Sequence, residues 1–404
     1  YIGDVITDHK TLIVRTPKEF RERQHIEVKL KHQALAIDRG KQEVLVSVLD
    51  EGKELFLSYD RLILATGARS RKLGIPGEGA RNIFTLKDIT DGIRIRDFID
   101  RRKPRSAVII GAGYISLEVA EALRERRIET TLLYRGKMPY SGLEPELGPI
   151  IVQEMEDHGV QYIGEVKPLS FEGDGQKADQ LVTDQGVFPA DLFFVGVGII
   201  PNSELAQEAG LVIGKSGGIQ VDKMMKTNDP YIFAAGDCCE KIQRVTGQAV
   251  VAPLGDIANK EGRVAGENAL GGRTEFKGIV GAACVKVFDL EIGTAGVNEA
   301  QAKNLGFSTI SQVVESPSRV GFYPGSRRSL IKIVADQSSG RILGGNWIGW
   351  DGEARKINTL AVALHQEMTL EEISQLDLAY APPYSPVWDP LLIAANLLKR
   401  KVGA

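Results

Sequence analysis

The sequence predicts an α/β protein of more than one domain, in which parallel-sheet units are followed by a separate α+β domain. Three observations predict it. The chain has 404 residues, more than one core organises, and its 43% hydrophobic and 25% charged residues are an ordinary globular composition. A strand, a Gly-x-Gly turn, a helix and a second strand run in that order through residues 106–134. From Lys277 onward strands come first and helices after, the order of an α+β domain.

Taken in order, residues 26–59 read as three short strands, Ile26–Ile37, Glu43–Leu49 and Glu54–Ser58, turning at Gly40 and Gly52. A buried strand, Arg61–Ala65, ends in Thr66-Gly67-Ala68. Residues 88–102 carry helical apolar spacing (Ile89, Ile93, Ile95, Phe98, Ile99) and stop before Pro104. Strand Ser106–Ile110 leads through Gly111-Ala-Gly113 into a helix to about Arg127, then strand Glu129–Tyr134. A helix over Pro145–His158, a strand pair around Ser170–Val187 and a buried strand Leu192–Val197 follow. Gly210–Ile219 is a glycine-rich turn region, and Tyr231–Ala235 is a short apolar strand before Gly236-Asp237. A helix spans about Asp256–Leu270. The last part reads as strands Ala282–Phe288, Thr309–Val314, Leu330–Ala335 and Arg341–Ile348, then helices at 353–367, 369–376 and 390–400.

Charge and composition exclude some classes. The net charge is −3 with no basic block or tail, so electrostatics give no case for nucleic acid or a membrane surface. Apolar stretches such as Ser106–Leu117 stop well short of the roughly 20 residues that span a bilayer. Three cysteines point to a reducing compartment, and a cytoplasmic protein without a metal site is expected.

The Gly111–Ser116 turn carries the first chemical assignment. Its first glycine permits the tight turn, and Gly113 lets backbone approach a pyrophosphate at the helix N-terminus. Ser116 stands at the third, close-packing position. The next strand ends at Tyr134-Arg135, and an arginine there suits the 2′-phosphate of NADPH rather than the free ribose of NADH. A solvated basic turn is the other reading of Arg135.

Two more segments have the form strand–small–Gly: Leu62–Ala68 and Tyr231–Asp237. Flanking an intact Rossmann unit, they make the chain resemble the pyridine nucleotide-disulfide oxidoreductase family. The resemblance implies FAD and NAD(P) Rossmann-like domains, the NAD(P) domain (91–222) being inserted in the FAD domain (1–90 and 223–276). A C-terminal α+β dimerisation domain (277–404) would make a homodimer. By the same resemblance Ala65, Thr66, Gly67, Gly236, Asp237, Leu254 and Gly255 contact FAD. Gly111, Gly113, Tyr114, Ile115, Glu118, Arg135 and Gly198 contact NADPH or NADH, with Tyr114 as a gate over the flavin and Glu118 near the nicotinamide amide.

Within the family the chain is similar to the branch of coenzyme A-disulfide reductases, NADH oxidases and NADH peroxidases. Gly111–Glu118 (GAGYISLE), Phe322-Tyr-Pro-Gly325 and Ala379-Tyr-Ala-Pro-Pro-Tyr384-Ser385 carry the likeness. The opening Tyr1-Ile-Gly-Asp resembles the stretch after the redox-active cysteine. The resemblance therefore implies that this cysteine and the first FAD-binding βαβ unit precede Tyr1. Cys238 and Cys239, adjacent after the FAD-side aspartate, do not replace that cysteine, and Cys284 reads as a small hydrophobe packed in its strand. No His-Pro dipeptide is present, and His365 reads as an ordinary helix residue, which favours the single-cysteine branch.

The implied activity carries hydride from NAD(P)H through flavin to a small-molecule disulfide, persulfide or polysulfide, with Tyr323 and Tyr384 lining the acceptor site. Arg23-Gln24 departs from the Arg-Lys pair of the coenzyme A enzymes. The alternatives are an NAD(P)H oxidase or peroxidase and, from another class, a redox-inactive NAD(P)-binding dimer.

Overall fold

The computed structural model describes residues 1–402. They form two compact units, one of residues 1–6, 70–198 and the described residues from 280 on, the other of residues 7–69 and 199–279.

The first unit holds a five-stranded parallel sheet. Its elements are β1 (Ile83–Phe84), α1 (Ile89–Arg102), β2 (Ser106–Ile110), α2 (Tyr114–Glu125), β3 (Glu129–Leu133), α3 (Gly148–Asp157), β4 (Val160–Ile163) and β5 (Leu192–Val195). The strand order is β1-β5-β2-β3-β4. β2 lies at the centre, in register with β3 from Ser106↔Glu129 to Ile110↔Leu133 and with β5 from Ala107↔Leu192 to Ile110↔Val195. Buried on both faces, it is the near-continuous apolar run that a central parallel strand requires. Helix α2 buries Leu117, Val119, Ala120 and Leu123 against it. The strand pair read around 170–187 is a three-stranded antiparallel sheet, Pro168–Gly173, Ala178–Thr183 and Gly186–Pro189.

The C-terminal part of this unit is an antiparallel sheet of β6 (Ala283–Val287), β7 (Leu290–Gly296), β8 (Thr309–Pro317), β9 (Arg328–Asp336) and β10 (Ile342–Gly349), ordered β6-β7-β10-β9-β8. Helix α4 (Glu299–Asn304) lies between β7 and β8 in the chain, and α5 (Glu353–His365), α6 (Leu370–Ser374) and α7 (Pro390–Lys399) follow β10. Sequence reading passed over β7 and α4. The glycines of β7 hid it, yet Gly293 is there for packing. A Cβ on it would lie 2.7 Å from the Ala354 carbonyl and from Ile357, so glycine lets α5 approach the sheet. Cys284 also differs from expectation: it is exposed on β6, and its thiol donates to the Ala354 carbonyl at 3.1 Å.

The second unit pairs Leu62–Leu64 in parallel with Ile232–Ala234, beneath helix Gly255–Ala269. The strand expected over Ile26–Ile37 begins only at His32, and the antiparallel sheet is His32–Asp38, Glu43–Val48 and Lys53–Ser58. Before it stands a helix, Pro17–Gln24, fixed by a reciprocal cap between Thr16 and Glu19.

One buried charge cluster fastens the parallel sheet's connecting loop to the antiparallel sheet within the first unit. Lys332 on β9, almost fully buried, reaches Glu144 at 3.0 Å and Glu299 at 3.1 Å, and also bonds Glu146. Glu144 in turn accepts from the Glu299 amide at 2.7 Å. Burial opposes the charge on Glu299. Hydrogen bonds from Lys303, Ser311 and Lys332 outweigh it and hold that carboxyl at about 2.

Removing the cation leaves the Glu144 carboxylate buried without a counter-charge, so Lys332→Met is expected to cost about 3–5 kcal/mol in urea unfolding. Because the Glu299 value is depressed, its contribution is full above the ordinary value near 4.5 and is lost as pH falls toward about 2. Unfolding between pH 5 and 2 should therefore be less steeply acid-dependent in Glu299→Gln than in the unaltered protein.

Candidate functional site

The expected nucleotide residues divide between the two units. Gly111, Gly113, Tyr114, Ile115, Glu118, Arg135 and Gly198 lie in the first, together with Tyr323 and Tyr384; Ala65, Thr66, Gly67, Gly236, Asp237, Leu254 and Gly255 lie in the second.

In the first unit the turn after β2 is dictated by crowding. Gly111 has φ +109°, and a Cβ there would stand 2.2 Å from the Gly196 carbonyl just past β5. The Gly196 amide donates back to Ile110 at 2.8 Å. Ser116 is fully buried and donates to the same Gly196 carbonyl at 3.3 Å, so its hydroxyl occupies the space at the third fingerprint position. Gly113 is the N-cap of α2, exposed, without a side-chain cap, and with open space where a Cβ would stand. The first turn carries no acidic residue. Uncapped amide donors, a bare glycine and no competing carboxylate fit a dinucleotide pyrophosphate.

Arg135 stands exposed past the end of β3, with no ion pair among the described residues. Gly198, φ +105° with nothing near it, leaves a bare backbone surface after β5. Glu118 faces outward from α2 at a hollow of about 630 Å³ shared with Cys284, Lys286 and Trp350. Partial burial, with the Glu121 charge behind it, pushes the Glu118 carboxyl above its ordinary range.

The two aromatic segments of the C-terminal sheet domain do meet. The Val320 amide donates to the Pro382 carbonyl at 3.3 Å, joining the Phe322–Gly325 turn to the proline-bearing loop. That turn closes through Tyr323 N to Val320 O at 2.8 Å, with Gly325 at φ +78°. Tyr384 is 78% exposed, and Phe322 of the turn and Trp388 of the loop are exposed too, so both segments present aromatic rings outward. Behind the turn, Arg319 and Ser318 both bond the Asp351 carboxylate.

In the second unit, Thr66 donates to the Asn202 carbonyl at 2.5 Å and the Asn202 amide group returns a bond to Thr66 O at 2.9 Å. Gly67 takes φ +67° and Gly236 φ +86° at the ends of the two paired strands. Helix Gly255–Ala269 opens at Leu254 without a side-chain cap, and Gly255 is exposed with open space beside it. A second uncapped helix N-terminus near paired strand ends fits the anionic and polar edges of FAD.

Sequence reading missed what holds the Gly236-Asp237 turn. Glu261 accepts from the Gly236 amide at 2.8 Å, while Lys241 donates to the Gly236 carbonyl at 2.7 Å. The pair itself stands at 3.4 Å with both side chains completely buried. Burial pushes the Glu261 carboxyl up, against the pull of Lys241. Cys238 and Cys239 are buried free thiols. Burial, with the charge of Glu261 beside it, drives the Cys239 thiol far above its ordinary range. No spacing rule pairs positions 241 and 261; only a charged residue on the apolar face of a helix hinted at it.

Among the described residues, Glu154, His158 and Asp289 could also gather round a cation. Their groups are already engaged. Glu154 accepts from Asp289 N and Trp350 Nε1, both at 2.9 Å, and His158 Nδ1 faces its own helix carbonyl at 2.8 Å.

Lys241→Met should cost about 3–5 kcal/mol in chemical denaturation, because Glu261 is left charged and unpaired. Lys241→Met/Glu261→Met together should cost less than the sum of the single changes.

The sequence model of the family described as pyridine nucleotide-disulphide oxidoreductase matches residues 5–252, and that of the family's dimerisation domain matches residues 282–390. The NAD(P)H coenzyme A polysulfide/persulfide reductase of Pyrococcus horikoshii is 33% identical over 400 residues, covering 99% of this chain and 88% of that protein. The coenzyme A disulfide reductase of Staphylococcus aureus is 31% identical, covering 95% and 86%. The solved structure of an NAD-dependent persulfide reductase from A. fulgidus superposes with a TM-score of 0.96 at 36% identity, covering 99% of this chain and 75% of that one.

Proposed function

The chain belongs to the pyridine nucleotide-disulphide oxidoreductase family, FAD-dependent NAD(P)H oxidoreductases, and we propose that its acceptor is a sulfur–sulfur bond in a coenzyme A disulfide, persulfide or polysulfide. The observation that carries this reading is the joining of the Tyr323 turn to the Tyr384 loop on one edge of the C-terminal domain. The names of the two similar relatives and of the persulfide reductase structure point the same way.

FAD, when bound, would supply a hydride acceptor for the nicotinamide and an electron-pair donor for the sulfur acceptor. The chain's own residues bind and orient. The uncapped start of α2 and Gly111–Gly113 receive the dinucleotide pyrophosphate, and Arg135 meets the 2′-phosphate of NADPH. Tyr114 and Glu118 stand toward the nicotinamide. Asp237, held by the Gly236 clamp, takes the flavin ribitol, with Ala65, Thr66 and Gly67 from the paired strand end. Leu254-Gly255 aim a helix N-terminus at developing negative charge. Tyr323 and Tyr384 donate phenolic hydrogen bonds to the leaving thiolate. In place of the expected bounds 1–90, 91–222, 223–276 and 277–404, we assign the FAD part to residues 7–69 and 199–279, the NAD(P) part to 70–198 and the dimerisation domain to the residues from 280 on. The enzyme acts as a cytoplasmic homodimer in which Tyr384 serves the partner's site. Among the described residues no helix is long and apolar enough to cross a membrane.

Tyr323→Phe and Tyr384→Phe should each lower turnover with coenzyme A persulfide about 10- to 150-fold, the worth of a hydrogen bond to a charged group. Flavin reduction by NADPH, followed anaerobically in a stopped-flow instrument, should be nearly unchanged. Full acceptor turnover in both variants, or rapid turnover with oxygen alone, rejects the sulfur acceptor. Arg135→Glu should move cofactor preference from NADPH toward NADH by a similar factor. An unaltered protein already tenfold better with NADH refutes the Arg135 assignment.

A further inference from the structure

The end of the parallel sheet opposite the glycine turn carries a second cavity, and we propose that it binds a small anion bearing two or more phosphate groups. Its volume is about 580 Å³, within the range of small-molecule sites. It is built where three adjacent parallel strands begin. Asn82 precedes β1, Asp191 precedes β5 and Arg105 precedes β2, all lining the cavity. The dinucleotide turn lies past the other end of β2, a strand length of about 16 Å away. The two sites are therefore separate.

The walls are cationic. Arg81, Arg102, Lys103, Arg105 and Lys177 line the cavity, against one carboxylate, that of Asp191. Asp191 offsets only one of these five charges, and one of its oxygens is taken up by the Arg105 amide at 2.8 Å and the Ser106 amide at 3.4 Å. Lys177 pairs with Asp179 at 3.0 Å. The other four cations form no ion pair among the described residues. Arg102 and Lys103 end α1, where cations complement the helix dipole, but Arg81, Arg105 and Lys177 come from three other segments. Cations gathered round one concavity repel one another and concentrate an anion there.

The floor is fixed rather than loose. Asn82 is fully buried; its amide group donates to Ala178 O at 2.8 Å and Asp191 O at 3.0 Å, and its carbonyl accepts from Ala178 N at 2.9 Å. It ties the β1 entry, the β5 entry and the 178–183 strand into one frame. Pro104, buried, sets the entry to β2. Phe98, edge-on to Phe84 with centroids 5.1 Å apart, supplies an apolar wall. The frame fixes the backbone from which the cations extend, so closing on phosphate oxygens orders their side chains alone.

The test uses the flavin-loaded protein with saturating NADP⁺, so that both dinucleotide sites are filled. Titration calorimetry with ADP, and separately with inorganic pyrophosphate, should show one saturable site per chain that weakens as salt is raised. Arg102→Glu/Arg105→Glu, and independently Lys177→Glu on a different segment, should weaken it at least tenfold while NADPH oxidation stays unchanged. Arg102→Lys/Arg105→Lys should retain most of the affinity. No binding of either probe, or binding that both charge-reversal variants leave intact, overturns the proposal.

Discussion

The nucleotide half of the molecule depends on one close approach, that of the Gly111 backbone to the Gly196 carbonyl. β5 is the neighbour of β2 on the side toward β1, while α2 carries the chain from β2 the other way, to β3. Such a reversal of strand order opens a crevice at the carboxyl ends of the strands. The crevice is usable only if the two chain ends cross without side chains between them. At 2.2 Å no Cβ fits on Gly111, and on Gly196 a Cβ would stand 2.1 Å from the Ser116 hydroxyl. The hydroxyl of Ser116 then closes the gap with a bond to that same carbonyl. Serine at the close-packing position is thus a substitution by contact as well as by size.

Buried charge is used to fix loops in both units. Lys332 holds the 144–146 loop and the start of α4, while Lys241 and Glu261 hold both backbone groups of Gly236. In each case an ion pair does what apolar packing cannot, since it satisfies backbone polar groups at a turn. Desolvation opposes such pairs, so their value lies in specifying one loop position rather than in net stability. The turn that carries Asp237 is the clearest instance. Its φ of +86° at Gly236 leaves a donor and an acceptor pointing inward, and one cation and one carboxylate answer them.

What the sequence made legible followed the distance over which its signals act. β2, α2 and β3 were readable because apolar runs, a Gly-x-Gly turn and helical spacing are local. Strand pairing of Leu62–Leu64 with Ile232–Ala234 was readable only as two similar segments, since partners 170 positions apart leave no local trace. β7 was lost because Gly293 and Gly296 weaken strand propensity at the places where α5 and β10 come close. The Pro17–Gln24 helix was a different failure: Thr16-Pro-Lys-Glu19 is a capping signature that local reading could have used. Cys284 misled because an apolar strand suggests a buried side chain, whereas β6 is an edge strand of its sheet and leaves the thiol exposed. The Lys241–Glu261 and Lys332–Glu144 pairs lay beyond any spacing rule.

The same asymmetry of parallel strands accounts for where chemistry can sit on the first unit. Carboxyl ends of β2 and β5 run into glycines and an uncapped helix, so they offer amide donors and little side-chain bulk. The amino ends are entered from a helix that has just ended and from a hairpin, so they are lined by side chains of residues outside regular structure. Donors of the first kind read a phosphate by fixed geometry and tolerate no side chain in the way. Cations of the second kind read it chiefly by charge and are screened by salt. In this chain the two ends of the sheet therefore differ in kind, backbone donors at one and charged side chains at the other. Chemistry that needs a substrate held to a fraction of an ångström belongs at the glycine end, because only backbone fixed on both sides by hydrogen bonds supplies that precision.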